Sequence, residues 1–105
     1  MPSPEIETAR QQWRDGQRRL EELRRDPVLH RRLLAQVDTL TAELRRRIGG
    51  TYTLQELAEA YRAAEPWLQD TLEEGDAEPG WERHATLVLD AAFDLYARGA
   101  ADYEP

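Results

Sequence analysis

Histidine and clustered carboxylates are the residues here whose chemistry could matter first. His30 and His84 lie on different helical segments, and neither belongs to an HExxH or Cys/His spacing. His84 is the better placed of the two, because Glu82, Asp90 and the acidic stretch 73–78 are close to it in sequence. Such a neighbourhood could build a carboxylate-rich metal or pH-sensing site, although no ligand spacing points to one. If the fold brought Arg62, Arg83 and His84 into one concavity, it could hold an anionic small molecule. The adjacent pairs Glu21-Glu22 and Glu73-Glu74 diverge on a helix and cannot share a proton. There is no cysteine, and all fourteen basic residues are arginine. Disulfides, thiolate chemistry, Schiff-base lysine and the P-loop lysine are therefore excluded. No Gly-rich phosphate loop, GxSxG elbow or triad spacing occurs. The reading assigns no catalytic, cofactor-binding or metal-ligating residue.

The elements that would position any site are helical. Ile6, Ala9, Trp13, Gly16, Leu20 and Leu23 step by three and four residues alternately, the a/d spacing of a narrow apolar seam. Leu29, Leu33, Val37, Leu40, Leu44 and Ile48 repeat it. Asp26-Pro27 supplies an N-cap and a first-turn proline, so the two segments should form an antiparallel hairpin with facing seams. Gly16 sits in the middle of the first seam, where glycine costs about 1 kcal/mol relative to alanine. Close approach of a neighbouring helix, or a hinge, would account for it. Gly49-Gly50 ends the second helix, and Thr53-Leu54-Gln55-Glu56 reads as a capping box opening a third. That helix carries Leu54, Leu57, Ala58, Tyr61 and Ala64, continuing to Leu68 and Leu72, and it should kink or break at Pro66. An acidic loop over 73–80 precedes a fourth helix from Trp81. Its apolar face, Ala85, Val88, Leu89, Ala92, Phe93, Leu95 and Tyr96, is broad enough for the centre of the bundle. The expected fold is all-α, a mainly antiparallel four-helix bundle in a single domain, 1–105.

Charge is divided unevenly along this frame. Residues 1–50 hold eleven arginines against eight acids, a balance of +3, whereas residues 51–105 hold three against thirteen, a balance of −10. Either the acidic half folds against the basic one, or one half meets a charged partner. A stable frame without chemistry on it leaves surfaces to act, so the expected function is a small non-enzymatic protein–protein interaction or adaptor protein. Its expected contact residues are Arg18, Arg19, Arg24, Arg25, Arg31 and Arg32 on the hairpin, with Trp67, Trp81 and Tyr103, since exposed Arg and aromatic side chains dominate binding hot spots. Homodimerisation through the narrow seam is a further expectation. Core packing is the competing reading for both tryptophans. Nucleic-acid association through the hairpin arginines is the alternative function, weakened by the net charge of −7 and the lack of interleaved aromatics. A helix-turn-helix beginning at Thr53 is disfavoured because its second helix, 67–74, would be acidic. A small helical enzyme acting on an anion is the third reading. No apolar run approaches the length of a membrane span, and no signal-peptide pattern follows the N-terminus, so a cytoplasmic, membrane-free protein is expected.

Overall fold

The computed structural model describes residues 4–64, 66, 68, 70 and 81–103, the side chains of residues 81 and 82 excepted. Among them the α-helices are α1 (Pro4–Glu22), α2 (Pro27–Ile48), α3 (Leu54–Arg62) and α4 (Ala85–Ala97), and no strand occurs. A single 3-10 turn, Leu23–Arg25, joins α1 to α2, and another, Trp81–His84, leads into α4. Asp26 caps α2 as its sequence implies: its carboxylate accepts the Leu29 N–H at 3.2 Å, with Pro27 directly behind it. Gly49 closes α2 at φ 91°, a conformation that glycine adopts without a Cβ clash. The acidic loop 73–80 lies outside the described residues.

The bundle is organised around α4. Ten of its thirteen residues are buried, which places it between the other helices rather than on their outside. Trp13 meets Phe93 with ring centroids 5.4 Å apart, and Gly16 lies against Asp90 and Ala91. Residue numbers thus run in opposite directions, so α1 and α4 are antiparallel. Tyr52 stacks on Tyr96 at 4.3 Å while Tyr61 reaches Asp90, which makes α3 antiparallel to α4 as well. The Tyr96 hydroxyl donates to the Gly49 carbonyl, so α2 and α4 finish at the same end. Each hairpin helix packs more closely on α4 than on the other. The seams read from sequence are the buried faces, but both turn toward α4 instead of facing one another. A helix apolar on all sides buries more area against two narrow seams than the seams bury together.

Gly16 is explained by this arrangement. A Cβ there would overlap the Asp90 Cβ and lie 3.2 Å from the Ala91 nitrogen, so the bare backbone lets α1 and α4 touch. Leu95 departs from expectation: it is 39% exposed.

The third helix breaks rather than kinks. Ala63 caps α3, its N–H bonding back to Glu59 and Ala60 carbonyls, and helical backbone resumes at Pro66, Leu68 and Asp70. Pro66 lacks the N–H that continuing α3 would need, and an opening turn does not require it. At the other end of α3, Thr53 Oγ1 accepts the Glu56 N–H at 3.2 Å. The capping box is half formed, because the Glu56 carboxylate meets the Thr53 hydroxyl at 3.3 Å instead of its backbone N–H. A second carboxylate comes from the C-terminal segment: Asp102 accepts the Leu54 N–H at 2.8 Å, while Ala101 N–H donates to the Tyr52 carbonyl. Both anions face the positive end of the α3 dipole. Replacing Asp102 by Ala is expected to lower unfolding free energy by about 1 kcal/mol, read as a reduced urea midpoint.

Candidate functional site

Two polar assemblies stand out on this frame, one inside and one outside. The inner one is built where α1, α3 and α4 meet. Tyr61, on the last turn of α3, donates its hydroxyl to Asp90 Oδ1 at 2.6 Å and accepts from Gln12 Nε2 at 2.7 Å. Its ring packs edge-on against Phe93 at 5.2 Å and lies 5.9 Å from Trp13. Asp90 is only 3% exposed. Burial pushes its carboxyl up to about 6, against the lowering effect of the Tyr61 hydrogen bond and of Arg19, with nearby Asp15 raising it further. Burial, reinforced by the hydrogen bond to Asp90 and its charge, also raises the Tyr61 phenol above its ordinary value. The phenol therefore stays a donor throughout the accessible pH range.

A hollow of about 430 Å³ lies beside this cluster, lined by Ala9, Gln12, Ala58 and Tyr61 and bordered by the Glu5–Arg62 ion pair. A second, of about 330 Å³, is lined by Tyr61, Arg62, Leu68, Thr86 and Leu89. Neither includes Arg83 or His84, so these hollows do not gather the trio considered for an anionic small molecule. Asp90 is engaged with Tyr61 and not with His84. Among the described residues no group of three His, Asp or Glu side chains could hold a metal ion. The polar atoms of Tyr61, Asp90 and Gln12 are turned toward one another, an arrangement that locks helices in register.

The outer assembly is the arginine face of the hairpin. Arg18, Arg19, Arg24, Arg25, Arg31 and Arg32 are all exposed. Arg18 pairs with Asp15 at 3.5 Å and Arg24 with Glu21 at 3.3 Å, each with a carboxylate three residues earlier in the chain and each largely in water. Solvent and salt screen such pairs, so these arginines can exchange them for other anions. The antiparallel register carries the face further. With Gly16 opposite Asp90–Ala91, Arg83 comes to the same end of the bundle as the Leu23–Arg25 turn, and Arg83 is exposed too. The cluster Arg45-Arg46-Arg47 at the opposite end behaves differently. Arg46 and Arg47 both grip Glu43, and the Arg46 hydrogen bond is foremost in holding that carboxyl below its usual range. They also complement the C-terminal dipole of α2.

Of the aromatic contact residues expected from sequence, Trp67 and the side chain of Trp81 lie outside the described residues. Tyr103 is half-buried and packed on the core, with the Arg10 guanidinium 5.4 Å from its ring centre. It belongs to the segment that ties down the C-terminal end, with Asp102 beside it. Sequence reasoning missed Val28, which is 61% exposed at the start of α2, and Leu34, which is 41% exposed. Both fall off the a/d stripe, which was a usable signal. It also missed the Tyr61–Asp90 pair, whose signal was one charged residue inside the apolar run 87–93. No helix of the described residues is long and apolar enough to cross a membrane. No family model, curated protein or solved structure matches the chain.

Proposed function

We propose that this chain is a small non-enzymatic interaction protein of the cytoplasm that binds another protein through the arginine face of its helical hairpin. One observation carries the reading: six hairpin arginines are exposed in groups along α1, the turn and the first turns of α2. The side chains best suited to acid–base chemistry, Tyr61 and Asp90, are instead bonded to each other. Arginine offers a planar, permanently charged fork that pairs with carboxylates in two parallel hydrogen bonds, and it is enriched at protein interfaces.

The test is affinity purification of the tagged chain from its native lysate, with and without nuclease, analysing bound protein and nucleic acid together. A stoichiometric protein that survives nuclease and is released by moderate salt is the expected result. Recovery of nucleic acid, with all protein partners lost on nuclease treatment, would instead assign the hairpin arginines to phosphate binding.

A further inference from the structure

We infer that the last turn of α3 is a pH-sensitive latch on α4: it is shut while the buried Asp90 carries its proton, and it opens at Tyr61 in a growing fraction of molecules once Asp90 is ionised, without unfolding of the α1–α4 core.

The fold sets a carboxyl group out of reach of water, with one short segment in front of it. Asp90 is 3% exposed, and among the described residues its hydrogen-bond partner is the Tyr61 hydroxyl. An ionised carboxylate accepts about four hydrogen bonds in water, so a single phenol does not replace the hydration that burial removes. The other groups around Asp90 offer little help. From α1, Gly16 brings bare backbone against it, and the charges of Asp15 and Arg19 act on it with opposite signs. From α3 comes Tyr61, held in turn by Gln12 of α1. The buried residues of α2 are the uncharged Leu33, Val37, Leu40 and Leu44. On α4 itself Asp94 is engaged with Arg98, and Arg83 and His84 lie six or seven residues earlier in the chain. Tyr61 and Arg19 favour the charged form, but burial outweighs them, and the carboxyl is pushed up to about 6. Above that value the proton leaves, and any arrangement that lets water reach Asp90 gains on the closed one.

The place that yields is the Tyr61 turn. Residues 59–63 are exposed or half-buried, between the buried Ala58 and Ala64. Both hollows, of about 430 and 330 Å³, are lined by Tyr61 and Arg62, so this turn already has open space beside it. The helix ends at Arg62, and no further turn of α3 holds Tyr61 from beyond. The start of α3 is fastened instead, with Leu54 and Leu57 buried and Tyr52 stacked on Tyr96. Nor can α1 give way so readily: its backbone touches α4 at Gly16, and Trp13 and Leu20 on either side are buried. Local openings arise where few buried contacts must be broken, and the Tyr61 turn has the fewest around Asp90.

Native-state hydrogen exchange of the full chain, at pH 5 and pH 7.5 and in urea below the unfolding transition, tests the latch once rates are corrected for the intrinsic effect of pH. Amides 60–63 are expected to exchange through an opening almost indifferent to urea, whereas amides 88–93 of α4 should exchange by urea-dependent unfolding. The opening constant of 60–63 should rise about five- to tenfold between the two pH values. Asp90→Asn keeps an acceptor for Tyr61 and has no proton to lose, so it should abolish that rise. Gln12→Ala, which frees Tyr61 without altering charge, should raise the opening constant about threefold at both pH values and leave the pH effect in place. Equal urea dependence for 60–63 and 88–93 overturns the latch, because the turn would then open only with the whole fold. An opening constant that is flat or falls between pH 5 and 7.5 overturns it, and so does a rise that survives in Asp90→Asn. No response to Gln12→Ala would also overturn it, since Tyr61 would not be the element that moves.

Discussion

Gly16→Leu is expected to lower the unfolding free energy by about 3–5 kcal/mol, measured by urea denaturation, with most of the change in the midpoint. The reason is the contact between α1 and α4. A Cβ alone would overlap the Asp90 Cβ and crowd the Ala91 backbone, and backbone cannot turn aside as a flexible side chain can. The helices would have to move apart, which loosens Trp13 against Phe93. Gly16→Ala gives the sign test. Helix propensity alone predicts a gain of about 1 kcal/mol, and the close approach predicts a net loss of about 1–2 kcal/mol. A stabilised Gly16→Ala variant would mean that Gly16 is a hinge rather than a contact.

Asp90→Asn is expected to stabilise the protein at pH 7 by about 2 kcal/mol and to flatten its stability between pH 4 and 6. The Asp90 carboxyl moves from an ordinary 3.8 to about 6 in the folded chain. Within that window the folded state holds more protons than the unfolded one, so stability falls as pH rises from about 4 to 6 and is level above. A difference of about two units corresponds to ~3 kcal/mol, part of which relaxation around the site would recover. An asparagine oxygen can still accept the Tyr61 hydroxyl without placing a charge beside Phe93. Tyr61→Phe is expected to move the window upward, since its hydrogen bond now lowers the carboxyl. Glu43 has the opposite sign. Its pKa is depressed chiefly by Arg46, so its contribution is present above the ordinary carboxylate range and is lost as pH falls through its folded value. Wild-type stability should therefore be greatest near or below about pH 4, and Asp90→Asn should extend that maximum toward neutrality. Chemical denaturation across pH 4–8 reads both effects. A wild-type profile that rises through pH 6 would contradict this account of Asp90.

Helix positions were legible in the sequence because periodicity and caps are local. The a/d stripes of α1 and α2, the Asp26-Pro27 start, the Gly49 stop and the Thr53 cap each depend on residues within about one helical turn of each other. The broad face of α4 also gave its central place. Partner choice was not legible. A narrow stripe records that a face is buried but not which helix covers it, so the seams of α1 and α2 were matched to each other when each belongs to α4. The buried Asp90 shows the same limit. Its nearest charged neighbours in sequence suggested a cluster with His84, while its actual partner, Tyr61, is 29 residues away and visible only once α3 is laid against α4. For the candidate surface, the arginines could be read directly, since long charged side chains off a seam reach water. The exposure of Val28 and Leu34 was legible in the same way, since both fall off the a/d stripe of α2. Tyr103 was expected to offer itself to a partner, yet the Asp102 cap and the Arg10 contact hold that segment against the core.

A protein partner held through the hairpin arginines should be released when their charge is reversed. Wild type and Arg25→Glu/Arg31→Glu/Arg32→Glu would be compared by quantitative affinity purification from nuclease-treated native lysate, with thermal unfolding of both proteins measured alongside. All three side chains are exposed, so similar unfolding is expected. The stoichiometric partner of the wild type is expected to be lost from the variant. Full retention of that partner by a variant that folds normally would contradict it.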